Sequence, residues 1–160
     1  MQNRSENIYE QYCNDFQNPA LGAYLITKFV ESFYKNADSN KLLNILYLFS
    51  IMPLVMNVNF RNCIRKKLIL NSLVTAINES EKLFGSYQEA IDKYKEYTLC
   101  SLIFAIRLGF VSVNENAIVK LEINELPRHT NVIIKNAEQL GKLFGNGDLY
   151  SFLAMLGVSL

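Results

Sequence analysis

The chain has 160 residues, 50% of them hydrophobic and 19% charged, a length suited to one sizeable core and a composition slightly rich in apolar surface. With 16 Lys plus Arg against 15 Asp plus Glu, the net charge of +1 excludes a global field that would draw in nucleic acid or an acidic membrane. Three scattered cysteines, Cys13, Cys63 and Cys100, exclude a disulfide framework and, with a single histidine, a clustered zinc site; they predict a reducing, cytoplasmic setting.

The opening residues, Met1 to Glu6, are polar where an export signal needs an apolar run. Residues 1–17 place Ile8, Tyr9, Tyr12 and Phe16 at helical spacing, which predicts a short leading helix. Asn18 is a natural N-cap and Pro19 a natural first residue, so a long helix is expected from there to about Asn36. Its apolar set is Leu21, Tyr24, Leu25, Ile26, Phe29, Val30 and Phe33, and Lys28, Glu31, Ser32 and Lys35 are expected on the opposite, polar face.

After the polar break at 36–40, Leu42, Ile45, Leu46 and Phe49 predict a second helix ended by Pro53, with Leu54 to Val58 as a short strand. Nineteen uncharged residues separate Lys41 from Arg61, close to the ~20 that span a bilayer. Asn44, Ser50, Pro53, Asn57 and Asn59 interrupt them, so buried structure rather than a membrane span is expected. Asn59 is a candidate cap for a helix carrying Arg61, Arg65, Lys66 and Lys67; a further helix, with a break near Asn71-Ser72, runs to the stop at Gly85. Ser86 with Glu89 has the capping-box pattern and opens the best helix of the second half. From Leu99 to Leu108 it is apolar nearly all round, which predicts deep burial. Gly109 stops it, and residues 110–113, 114–116 and 117–123 read as strand, turn, strand. A helix from Val132 to Phe144, interrupted by Gly145-Asn146-Gly147, and a last helix capped by Asp148 complete the chain.

The fold class expected is mainly α, a helical domain with a winged helix-turn-helix-like portion whose wing is the small β-hairpin. One domain is expected over 1–160, comprising an N-terminal helical, partner-contacting segment at 1–37, a winged-helix-like portion at 40–125 and C-terminal helices at 126–160.

Catalytic chemistry finds no support. His129 sits in a loop with no companion acid or nucleophile identifiable, and no phosphate loop, dinucleotide fingerprint or zinc-protease motif occurs. The carboxylate pairs Glu79 and Glu81, Asp92 and Glu96, and Glu122 and Glu125 read as solvated faces and strand ends; no catalytic residue, cofactor or metal is expected. The cluster Arg61, Arg65, Lys66 and Lys67 puts four cations within seven residues, a candidate phosphate-binding face that Lys93, Lys95 and Lys120 could extend. Near-neutral net charge and the acidic residues Asp92, Glu96 and Glu115 in the neighbouring elements weigh towards a solvated face or a protein contact instead. The aromatics Tyr24, Phe29, Phe33 and Tyr34 wrap more than half of the first long helix, a girth that fits a partner surface.

Several blocks resemble a known family. Asn18-Pro19-Ala20-Leu21 leading to Phe29-Val30-Glu31-Ser32-Phe33-Tyr34, the stretch from Leu46 to Met56 followed by Arg61, Phe104 to Phe110, and Gln139 to Phe144 with Leu156-Gly157-Val158 together resemble the middle component of three-component ABC ATPase systems. The family's turn after the apolar segment is often richer in Thr and Pro, whereas here it reads Asn57-Val58-Asn59-Phe60. The resemblance covers the chain from about residue 7 to its end. It implies a small non-enzymatic subunit that works beside an ABC-type ATPase and an effector in bacterial defence against phages and other invading DNA. On that footing the expected function is an adaptor, with Asn18, Pro19, Leu21, Tyr24, Leu25 and Phe29 as partner-binding residues and self-association as a further expectation. Any contact with nucleic acid is expected to be indirect, and no membrane partner is expected. The alternative is a winged-helix DNA-binding regulator using Arg61, Arg65, Lys66 and Lys67.

Overall fold

The computed structural model describes residues 18–64, 69–124, 126–127 and 131–159. The leading helix expected at 1–17 lies outside them. Asn18 caps as its sequence position requires: the Ala20 N–H donates to its side-chain oxygen at 2.9 Å, and Pro19 starts helix α1, Pro19–Asn36. The chain then forms strand β1, Leu43–Asn44, and a 3-10 turn, Ile45–Tyr47, whose cap is the Asn44 side chain. Four helices follow: α2, Leu48–Met56; α3, Val58–Ile64; α4, Leu70–Phe84; and α5, Tyr87–Arg107. A hairpin of β2, Val111–Val113, and β3, Ile118–Leu121, precedes α6, Val132–Asn146, and α7, Leu149–Met155.

The described residues are thus mainly helical, with one small antiparallel sheet in the order β1-β3-β2. Leu43 and Asn44 pair with Val119 and Ile118, and Val111 to Val113 pair with Leu121 to Val119. The central strand is the last in sequence, so β1, cut off from the hairpin by four helices, joins it across a long connection.

Two expectations near Pro53 are corrected. The strand is at Leu43–Asn44 and not at Leu54 to Val58, and Pro53 lies inside α2 instead of ending a helix. The reason is burial on every side: Ser50 through Met56 are all buried, so apolar packing outweighs the bond that proline removes. The carbonyl of Ser50, in the turn that Pro53 loosens, accepts the hydroxyl of the fully buried Tyr87. The cap of α3 is Asn57, whose side chain accepts from Asn59 N–H at 2.9 Å, not Asn59 itself. No break occurs at Asn71-Ser72, which form the first turn of α4.

Other punctuation is as expected. Ser86 accepts from Gln88 N–H at 3.1 Å and opens α5, and Asp148 caps α7 in the same way; Asn131, which the sequence reading did not single out, caps α6. Gly109, at φ +69°, ends α5 in a Schellman arrangement: Phe110 N–H donates to Ala105 C=O and Gly109 N–H to Ile106 C=O, each at 3.0 Å.

The core is centred on α1, which packs against α6 on one side and α5 on the other. Phe29 meets Phe144 edge-on at 5.8 Å between ring centroids, and Phe144 meets Phe152 of α7 in a tilted arrangement at 4.9 Å. Gly141 and Gly145 make the approach of α6 close: a Cβ on Gly141 would come within 2.4 Å of the Phe29 carbonyl oxygen. Tyr34 ties α1 to the sheet, its hydroxyl donating to the Val119 carbonyl and accepting from Leu43 N–H. Lys41 finishes α6. Its ammonium donates to the carbonyls of Phe144 at 2.8 Å, Gly145 at 2.9 Å and Gly147, and sits 5.7 Å from the Phe33 ring centroid. Burial pushes the Lys41 amine below its ordinary value despite the opposing pull of Asp148 and Asp38.

Candidate interaction surface

The six residues of α1 and its entry expected to hold a partner are divided by the fold. Leu25 and Phe29 are fully buried inside this chain; Leu21, Tyr24 and Pro19 are half-buried and Asn18 is exposed. The aromatic girth of α1 is therefore covered by α5, α6 and the sheet, and the surface that remains is the entry to the helix. There Tyr97 of α5 donates to the Asn18 carbonyl at 2.9 Å, and burial raises the Tyr97 phenol to about 12 despite the Ser101 hydroxyl beside it. Tyr24 donates to the carbonyl of Pro127.

The polar face of α1 is also covered, which corrects the expectation that Lys28 and Glu31 face away from the core. Both are buried. Lys28 Nζ lies 3.0 Å from Glu31 Oε2, 3.4 Å from the Leu126 carbonyl oxygen and 3.8 Å from Glu138 Oε1, while Lys35 Nζ lies 2.6 Å from Glu31 Oε1. Ser32 adds a bond from its hydroxyl to the Glu138 carbonyl at 2.7 Å. Burial pushes the Glu31 carboxyl up, but the hydrogen bonds and charges of Lys35 and Lys28 outweigh it, and the group ends below its ordinary value. The i, i+3 and i+4 spacing of Lys28, Glu31 and Lys35 was the available signal for this pairing; nothing in the sequence showed that residues 126–127 would close over it.

Of the basic cluster, Arg61 lies among the described residues. Arg61 donates from Nε to the Val55 carbonyl at 2.9 Å and from a terminal nitrogen to the Met56 carbonyl at 3.0 Å, satisfying the end of α2. Arg65, Lys66 and Lys67 lie outside the described residues, as do His129 and Glu125. Of the carboxylates weighed for chemistry, Glu81 accepts from Tyr87 N–H at 2.7 Å and Glu122 from the Ser112 hydroxyl, both local structural roles. Among the described residues no group of three His, Cys, Asp or Glu side chains could hold a metal ion, and no helix is long and apolar enough to cross a membrane.

Exposed apolar surface occurs elsewhere. At the tip of α4, the adjacent Leu83 and Phe84 are 76% and 56% exposed. On α5, Leu99, Ile103 and Ile106 are 46%, 43% and 40% exposed, which corrects the expectation that this half of the helix is deeply buried. Only one side of it packs: Thr98, Ser101, Leu102 and Ala105 face the core. The first patch lies just before the start of α5 and the second in the last turns of that helix, and exposed apolar surface of this kind marks candidate contact sites.

Compared with known proteins, no curated protein and no solved structure matches the chain. One family model does match, that of ABC-three component (ABC-3C) system Middle Component 3, over residues 6–160. This bears out the resemblance carried by the Asn18-Pro19 entry, the apolar segment ending in Arg61 and the α5-to-β2 junction: the chain belongs to the Middle Component 3 family of ABC-three component systems.

Proposed function

We propose that the protein is a non-enzymatic adaptor that joins the ABC-type ATPase of its system to an effector, in a cytoplasmic complex that defends bacteria against phages and other invading DNA. The observation that carries the reading is the pair Leu83 and Phe84, two large apolar side chains next to each other at the solvent end of α4 in a subunit of a multi-component system. An exposed aromatic beside an aliphatic residue is the composition of an interface anchor, and removing such an anchor from a contact typically costs 2 kcal/mol or more. The polar and half-buried entry to α1, at Asn18, Pro19, Leu21 and Tyr24, is the second contact in this reading.

The winged-helix reading of the middle of the chain rests on the sheet. A strand before the helical run pairs with the second strand of a later hairpin, in the order β1-β3-β2, and in this reading the Asn114–Asn116 turn is the tip of the wing. The fold alone does not choose between a protein partner and a groove of DNA. The DNA-binding alternative is weakened by Arg61, whose guanidinium is held by two backbone carbonyls.

Co-expression with the ATPase and effector of the same system tests the adaptor. A ternary complex is expected for the natural chain, with loss of one component on Phe84→Asp and an unchanged melting temperature of the isolated subunit. Phe29→Asp is unsuitable, because Phe29 is core. A chain that co-purifies with neither component, or whose complex is indifferent to Phe84→Asp and Leu83→Asp together, overturns the reading.

A further inference from the structure

Leu99, Ile103 and Ile106 follow one another at steps of four and three residues, the spacing of a seam along which two helices pack. Ser101 and Ala105 lie on the far side of α5, packed in the core with Leu102, and the described residues leave the seam exposed. Charged residues of opposite sign bracket it on one flank. Glu96 stands one turn before Leu99 and Arg107 directly after Ile106; both are exposed, and neither forms an ion pair among the described residues.

We infer that this face of α5 binds a second copy of the chain, with the two helices antiparallel about a two-fold axis near Ile103. An antiparallel pair sets Leu99 of one copy against Ile106 of the other and Ile103 against itself. The same operation keeps each flank on its own side and reverses its direction, so Glu96 comes within reach of Arg107 from the other copy, twice per dimer. The seam from Glu96 to Arg107 is ~16 Å long at ~1.5 Å per residue, and its few half-exposed side chains fall well short of the ~800 Å2 per partner of a stable interface. The dimer is accordingly a weak one, strengthened where other components hold two copies close together. This inference does not depend on the adaptor reading. It leaves Leu83 and Phe84 free on each copy.

Sedimentation equilibrium on the full chain, with no other component present, tests it. A monomer–dimer equilibrium is expected, with half-association near 100 μM to order of magnitude, a concentration that about matches an interface of this size. Ile103→Asp abolishes the dimer, and its thermal melting stays within a few degrees of the natural chain because the side chain faces solvent. Arg107→Glu weakens the dimer about tenfold by setting like charges together, and adding Glu96→Arg restores it to within about threefold. A chain that stays monomeric at every concentration, or a dimer that survives Ile103→Asp, overturns the inference. So does a double charge reversal no tighter than the single one.

Discussion

Glu31 shows how a residue that reads as surface becomes part of the interior. It holds two lysines, one buried with it and one exposed, and those contacts rather than exposure to water keep its carboxylate charged. Replacing Glu31 with Gln leaves Lys28 under residues 126–127 with only the Leu126 carbonyl and the more distant Glu138, and is expected to cost about 2–4 kcal/mol in urea unfolding. The pH dependence follows from the direction of the shift. Because the folded carboxyl titrates below its ordinary 4.5, its contribution is complete above that value and is lost as pH falls through the lower, folded value. The urea midpoint of the natural chain should therefore drop on acidification below about pH 4.5, and that of Glu31→Gln should drop less. Equal slopes for the two would remove Glu31 from the account.

At the scale of elements, helix approach is set by what is missing as much as by what packs. Gly141 lets α6 lie against the backbone of α1 at Phe29 and Phe33. Changing Gly141 to Ala gains roughly 1 kcal/mol of helix propensity. The new methyl must then displace the Phe29 carbonyl, and overpacking of this kind costs ~1–3 kcal/mol, more when backbone rather than a side chain must yield. Gly141→Ala is expected to lower the melting temperature, whereas Lys142→Ala, one residue on and exposed, should move it little; thermal unfolding by circular dichroism compares them. Equal effects would mean that the helices are not in close contact. The α5 helix carries the opposite lesson. Its second half is apolar nearly all round, a pattern of burial that does not say what does the burying; among the described residues one side is covered and the other is left as a seam.

Across the whole molecule, α1 is the element on which the others converge, touching α5, α6 and β3 and reaching residues 126–127 through Lys28 and Tyr24. Its amides between Leu25 and Phe33 should exchange with deuterium only through global unfolding, while those of the 114–116 turn and the last turn of α4 exchange through local opening. Comparable protection of α1 and the α4 tip would contradict that hierarchy. The same convergence explains why Leu25 and Phe29, two of the six partner residues expected on α1, are buried within this chain: aromatic girth measures how much apolar surface a helix offers, and cannot distinguish a second chain from other helices of the same chain.

Local chemistry was legible residue by residue. Asn18, Ser86 and Asp148 begin helices because each has a short side chain able to accept the free N–H groups of a first turn, and Gly109 ends α5 because it takes a positive φ without strain. The hairpin and the family membership were equally readable, from turn chemistry and from an ordered set of short blocks. What surrounds each element was decided in three dimensions. Pro53 within a helix, the burial of Lys28 with Glu31, the use of Arg61 as a helix end-cap and the bare seam on α5 all depend on contacts between residues distant in the chain. Burial can outweigh a local preference worth one or a few kcal/mol, and no spacing along the sequence records which element supplies it.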